Sequence, residues 1–227
     1  MYDNQGGHPF DPRWDREPGG RTQSASVHPL RDTGASSDRG MRSADARSIS
    51  ELGWPQHFSI KSHGGKAAFE VKPVRARNDW GWTLNIEGAV ALPADAARAN
   101  GYDKAFDWKN KIVLQLTRNE LPVFTAVMLG HLNTCRFDGH GIGDAASTKS
   151  FSADHQPGKI FINLKEAGKP LVAVPIPLAE ALDVGHVALV QYAANFPGLT
   201  PAAALSGLAR MSSHMMASAA NRSGGGR

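Results

Sequence analysis

One plan occurs twice along this chain and governs what it can fold into: a block of short strands, then one helix. In the first block, residues 57–61 alternate as a short strand, and the turn Ser62-His63-Gly64-Gly65 leads into a second strand within 65–76, so a hairpin is expected. Residues 80–92 read as a long curved strand with Trp80, Trp82, Leu84 and Ile86 on one face and Gly88 as a bulge. Residues 93–108 read as a loop with one helical turn, and 109–117 as a fourth strand. The period then changes. Leu121, Phe124, Val127 and Met128 share a helical face, Gly130 stops the helix, and Thr117 with Glu120 has capping-box spacing.

The second block repeats the first, with strands expected over 132–137, 147–153, 159–164 and 170–176. A helix then runs from Pro177 to about Asn195, with Leu178, Leu182, Leu189, Val190 and Ala193 as its apolar stripe. Laying 112–120 over 172–180 matches strand, helix start and acid, with only the glutamate identical. Strands grouped before each helix imply antiparallel sheets, so the expected class is α+β in the order β4αβ4α. Each sheet then offers an apolar face to a helix or to its twin.

Composition bounds the folded part. Residues 1–53 hold almost no aliphatic side chains, and their seven arginines face eight acids. Such a stretch buries too little apolar surface to offset the entropy of ordering, so a disordered arm is expected. A single domain over 54–199 follows, then a short helix around 201–216 and a flexible tail within 200–227. The net charge of +4 and pI of about 9.3 permit nucleic acid as a partner without demanding it. A lone Cys135 excludes an intrachain disulfide. No apolar run approaches the roughly 18 residues of a membrane span, and the acids of the arm argue against a transit peptide. The expected setting is a bacterial cytoplasm, with no membrane partner.

The strand within 65–76 carries the densest chemistry. Ala67, Phe69 and Val71 alternate with Ala68, Glu70 and Lys72, one face for the core and one for solvent. Pro73 cannot donate to a ladder, which points to an edge strand or the end of one. Lys66, Lys72, Arg75 and Arg77 on such an edge suit phosphates, although lysines on an edge also serve to block aggregation. Phe58, Trp80 and Trp82 lie close to these cations and to Lys61 in the chain. Unpaired bases need rings to stack on. Trp80 and Trp82 share a face, so both are core or both line a cleft; Phe69 is expected in the core.

The combination FSIKSHGGKAAFEVKPVRA, DWKNKIVLQLTRNEL, CRFDGHG followed by KSFSAD, GKIFINL and LVAVPIPLAEAL resembles the Whirly family of single-stranded-DNA-binding proteins. GKAA followed by a short strand and KP is its most specific piece. The match covers residues 57–199 and leaves both ends unexplained. More distantly, the chain resembles single-strand-binding transcription cofactors and kinetoplastid guide-RNA-binding proteins. The resemblance implies two packed four-stranded antiparallel sheets with helices, assembled as a homotetramer through the helices. It also implies DNA gripped by strand edges and by clefts between neighbouring subunits' sheets. Lys66 carries over from the family's KGKAA motif, which is tied to DNA binding and to growth of tetramers into larger particles. Two departures stand out: an acid-containing arm replaces an organellar transit peptide, and Arg136-Phe137-Asp138 replaces an acidic and aromatic cluster after the cysteine. A bacterial relative carried on a mobile or conjugative element is the expectation.

The expected function is sequence-tolerant binding of single-stranded DNA that protects or presents it in replication, recombination, repair or transfer. The interface residues expected are Phe58, Lys61, Lys66, Lys72, Arg75, Arg77, Trp80 and Trp82. RNA as a partner, or a transcriptional or assembly cofactor using the same fold, is the alternative. No metal, cofactor or catalytic residue is expected. His131, Cys135 and His140 lack a fourth ligand and paired zinc spacing, and GHGIGD from Gly139 is explained as a hairpin loop. Glu120 and Glu180 read as helix starts. The chain ends SGGGR, so docking through an acidic tip is not expected. Alanines 179, 181, 188, 193 and 194 allow close helix packing between subunits.

Overall fold

The computed structural model describes residues 51–76, 81–99, 101, 104–140 and 148–224. The first block is a meander of β1 (Ile60–His63), β2 (Ala67–Arg75), β3 (Trp82–Val90) and β4 (Ile112–Gln115), hydrogen-bonded in that order and antiparallel throughout. The second is β5 (Thr134–His140), β6 (Lys149–Gln156), β7 (Lys159–Glu166) and β8 (Val172–Pro177), again in chain order. Each block is closed by a helix, α2 (Glu120–Met128) and α3 (Leu178–Ala193). A short α1 (Ala94–Ala99) and a 3-10 turn (Trp108–Asn110) lie between β3 and β4. The doubled plan is therefore the architecture: two packed four-stranded antiparallel sheets with helices. Of the arm expected over 1–53, residues 1–50 lie outside the described residues, and Glu51 pairs with Arg75 at 3.2 Å.

Local chemistry accounts for most boundaries. The first strand begins at Ile60 rather than 57 because His57 sits at a φ of 64°, which no strand accepts. Half of the expected capping box forms, with the Thr117 N–H donating to Glu120 Oε2 at 2.8 Å. β5 runs on to His140, past the expected end at 137, because a register irregularity between Phe137 and His140 absorbs the turn residues.

The position of β2 corrects the reading of Pro73 as an edge-strand marker. β2 lies inside its sheet, between β1 and β3. Yet β1 pairs only with Ala68 through Val71, so Pro73 falls where β2 has a neighbour on one side alone. The missing N–H costs no ladder bond there.

The core forms where the inner faces of the two sheets meet each other and the helices. Phe69, Val71, Leu84, Ile86, Ile112 and Leu114 of the first sheet join Ile160, Ile162, Leu164, Val172, Val174 and Ile176 of the second in one buried cluster. Gly88 is not a bulge: it sits in unbroken register between Phe69 and Ile112. A Cβ there would lie 2.6 Å from Val172 Cγ1, so its bare backbone lets β8 approach.

Small residues set the helix layer in the same way. A Cβ on Gly185 would lie 2.6 Å from Leu129 Cδ2, which places α3 directly on the end of α2. The buried face of α3 is Ala181, Val184, Gly185, Ala188 and Gln191, while Leu178 and Leu182 of the expected stripe are exposed. Ala181, Ala188 and Ala193 are likewise used inside the chain rather than between subunits. The last helix, α4 (Pro201–Gly224), extends to 24 residues, beyond the short helix expected, and buries Ala204 and Leu208 beside Leu189 and Ala193 of α3.

Gly88→Ala is expected to destabilise the fold by about 1–3 kcal/mol through overpacking. In urea unfolding, a second change, Val172→Ala, should return part of that loss, a non-additive pair. Additive effects of the two substitutions would show that the sheets do not meet at this point.

Candidate nucleic-acid interface

The outer face of the first sheet holds two of the expected cations, Lys61 and Lys72, and a buried acid pair occupies them. Glu70 and Glu87 stand directly opposite in the β2–β3 register, each about 95% buried. Like charges so placed repel unless neutralised. Lys72 lies 3.3 Å from Glu70 and 2.8 Å from Glu87, Lys111 lies 2.6 Å from Glu87, and Lys61 lies 3.6 Å from Glu70. Burial pushes the Glu87 carboxyl up, but hydrogen bonds from Lys111 and Lys72 outweigh it and hold the group below its ordinary 4.5. Burial pulls Lys72 down, and its bonds to the two carboxylates more than restore it, so it stays charged. Lys72 is thus committed to holding the sheet together.

The segment after β3 folds back over this face. Ala91 bridges Phe106, and the Asp107 N–H donates to the Val90 carbonyl. The Phe106 ring lies 5.4 Å from that of His63, and Lys61 sits 5.5 Å above the Trp108 ring. Lys104 reaches the Gly64 carbonyl and lies over Phe106. These contacts explain why Ala68 and Ala89, on the face read as solvent-facing, are buried.

The remaining expected residues scatter. Phe58 stacks on Trp54 at 4.7 Å and packs on the core, so it is a structural ring and not a base platform. Lys66 is exposed in the turn before β2. Arg75 lies 4.2 Å above the Trp82 ring and pairs with Glu51 at 3.2 Å. Trp82 is half-buried at the end of the sheet, where Asn195, in the turn just after α3, both accepts from its backbone N–H (2.6 Å) and donates to its carbonyl (2.8 Å). Gln191 donates to the Thr83 and Val74 carbonyls beside it. A Cβ on Gly81 would meet Asn195 Oδ1 at 1.9 Å, so the glycine is needed for this clamp. Arg77 and Trp80 lie outside the described residues. The structure therefore brings Arg75 and Trp82 together, puts Lys61 and Lys72 on the acid pair, and leaves Lys66 apart.

A surface that sequence reading missed lies on the outer face of the second sheet. One register row runs Arg136, Ser152, Asn163, Ala173, and the next runs Thr134, Asp154, Phe161, Pro175. Lys165 pairs with Ser150 one step along. The inner positions of the same strands, Cys135, Phe151, Ile162 and Leu164, are buried, and the outer ones are exposed or half-exposed. A shallow depression of ≈ 230 Å³ opens among Arg136, Ser150, Ser152, Asn163, Lys165 and Leu171. Arg136 is 71% exposed and, among the described residues, is bonded to Asp138 at 2.7 Å. Both partners are open to solvent, which screens the pair, so a phosphate can compete for the guanidinium. The signal was present in the chain as polar or charged residues alternating with core positions in β5 and β6 and, apart from Phe161, in β7, but no dense run of lysines marked it.

The histidine and cysteine cluster is structural. His140 Nε2 lies 2.6 Å from Glu120 Oε1 and ties β5 to the start of α2. Cys135 faces the core, where burial pushes its thiol up to about 12. Among the described residues no group of three His, Cys, Asp or Glu side chains is placed to hold a metal ion.

No family model matches this chain, and no curated protein does. Among solved structures it is similar to WHY3 from Arabidopsis thaliana, at 20% identity over 58% of this chain and 84% of that one, with a TM-score of 0.44. It is similar to WHY1 from the same plant at 18% identity, over 60% and 89% of the two chains, with a TM-score of 0.45. The plant transcriptional regulator PBF-2 is 18% identical over 61% and 89%, with a TM-score of 0.48.

Lys72→Met is expected to lower stability by on the order of 1–3 kcal/mol, the loss of one partner from a buried charge cluster moderated by partial exposure. Arg136→Glu should leave the urea unfolding midpoint close to that of the parent, because the side chain is exposed. The depressed Glu87 carboxyl adds stability that is present above its unfolded value and lost as pH falls through the folded one. Glu87→Gln should therefore be less stable than the parent at neutral pH and flatten the decline below pH 4.5. Parallel stability curves for the two proteins would contradict the assignment.

Proposed function

We propose that this protein binds single-stranded DNA without a fixed sequence, along the open face of the second sheet. The observation that carries the reading is the composition of that face. Arg136 and Lys165 supply charge, Ser150, Ser152 and Asn163 supply hydrogen bonds, and Phe161 supplies a ring, all set by antiparallel register and uncovered among the described residues. Phosphates need cations along a track, and exposed bases need flat partners; neither requirement reads sequence. Arg75 on Trp82 forms a second ring and cation pair at the end of the first sheet, suited to extending the track. No helix among the described residues is long and apolar enough to cross a membrane.

The resemblance supports single strands over duplex. It also supports assembly as a homotetramer, for which the exposed pair Leu178 and Leu182, one turn apart on α3, offers an apolar contact. Protection or presentation of DNA in replication, recombination, repair or transfer is the role this activity serves.

Fluorescence anisotropy with labelled oligo-dT, the matching duplex and oligo-rU tests the reading. Oligo-dT should bind tightly and duplex weakly. Arg136→Glu and Lys165→Glu should each weaken binding and flatten the log-log salt slope by about 0.7 for each phosphate no longer neutralised. Phe161→Ala should cost about 1–3 kcal/mol of binding. Equal affinity for duplex and single strand rejects the proposal, and stronger binding of oligo-rU moves it to RNA. Light scattering should give a multiple of four chains.

A further inference from the structure

The distal half of α4 has a face that the fold does not use. Ala204, Leu208 and Ser212 of this helix are buried, but every residue of 213–222 is exposed. Met215 and Met216 stand 42% and 47% open to solvent. Beside them runs a groove of ≈ 510 Å³, lined on its apolar side by Leu132, Met215, Met216 and Ala219 and carrying His214 and Arg222 as its ionisable groups. No carboxylate lines it, and α4 contains no Asp or Glu from Pro201 to Gly224. The neighbouring acid, Asp154, is bonded at 2.6 Å to the hydroxyl of Thr134.

The volume is of the size that takes the anchoring side chains of a ligand or peptide. Methionines are unbranched and polarisable, so a groove built on two of them adapts to the anchors of a helical or extended segment. Charge selects among occupants. The fixed charge in the lining is the Arg222 guanidinium, with no carboxylate beside it, so an acidic segment meets it with opposite sign. Nucleic acid is disfavoured by the lining, which contains no aromatic ring for a base to stack on.

We propose that this groove docks a short acidic segment of a partner protein, its apolar side chains seated on Leu132, Met215 and Met216 and its carboxylates facing Arg222. The groove borders the outer face of the second sheet at Thr134, but its apolar lining, Leu132, Met215, Met216 and Ala219, is no part of the DNA-binding face proposed above. It gives the helix a role as an adaptor arm, opposite in sign to a chain that recruits partners through an acidic tip of its own.

The probe is a synthetic acidic peptide with leucines on one helical face, titrated into the full chain with methyl-labelled methionines and followed by NMR. The Met215 and Met216 methyls should shift saturably while buried Met128 stays in place. Arg222→Glu should weaken the peptide at least tenfold at low salt, and a peptide with serines for leucines should produce no shift. Arg136→Glu should leave peptide binding unchanged. Absence of shifts at Met215 and Met216, equal shifts with the serine peptide, or indifference to Arg222→Glu overturns the proposal. Two other results also overturn it: oligo-dT displacing the peptide assigns the groove to nucleic acid, and dissociation of an assembly by Met215→Glu assigns it to a second copy.

Discussion

Everything in this molecule depends on how closely its two sheets can approach at Gly88. The inner faces carry the core, and a sheet pair buries that core only if backbone and side chains interdigitate at near-crystalline density. With no Cβ at Gly88, Val172 Cγ1 fills the space above β3, and the Leu164 side chain packs beside it. Gly185 does the same where α3 crosses the end of α2. The apolar positions supply the driving force, and the two glycines decide the distance at which it acts.

That arrangement leaves the outer faces unequal. The first sheet is closed over by the segment between β3 and β4, and its cations are drawn onto two opposed glutamates. A lysine shared between two buried carboxylates is anchored by Coulomb attraction strengthened by low local dielectric, so it cannot follow a passing phosphate. The second sheet has no such covering among the described residues. Its arginine is held by a solvent-exposed pair, and its polar side chains alternate cleanly with core positions. One fold thus carries a cationic face spent on stability and another left available for a ligand.

Between them, α3 acts as a polar brace. β4 pairs with β3 only from Asn85 through Gly88, and Leu116 adds one bond to Leu84. Trp82 and Thr83 lie beyond that reach, and their backbone groups would be costly to bury unpaired. Gln191 in the last turn of α3 and Asn195 in the turn that follows it supply the missing partners. The same clamp fixes the end of β3 where Arg75 stacks on Trp82.

The doubled strand-and-helix plan, both helix starts, the burial of Phe69 and the antiparallel class were all legible in residue order, because period and turn chemistry are local properties. Arg136 was not recognisable as sharing a surface with Phe161 and Lys165, since it sits on β5 and they sit on β7, and the two strands are brought into line only by register through β6. Lys72 illustrates the same limit from the other side. Its neighbours in the chain mark it as a cation on a basic strand, while the glutamate that claims it, Glu87, arrives from 15 residues away. Leu178 and Leu182 look like core by spacing, and are exposed because the glycine and alanines on the adjacent face let α2 come closer there. Sequence by itself determined which elements form and which faces are apolar. Tertiary structure alone decided which charges are neutralised and which remain open, because pairing energy depends on distances between residues that the chain order does not contain.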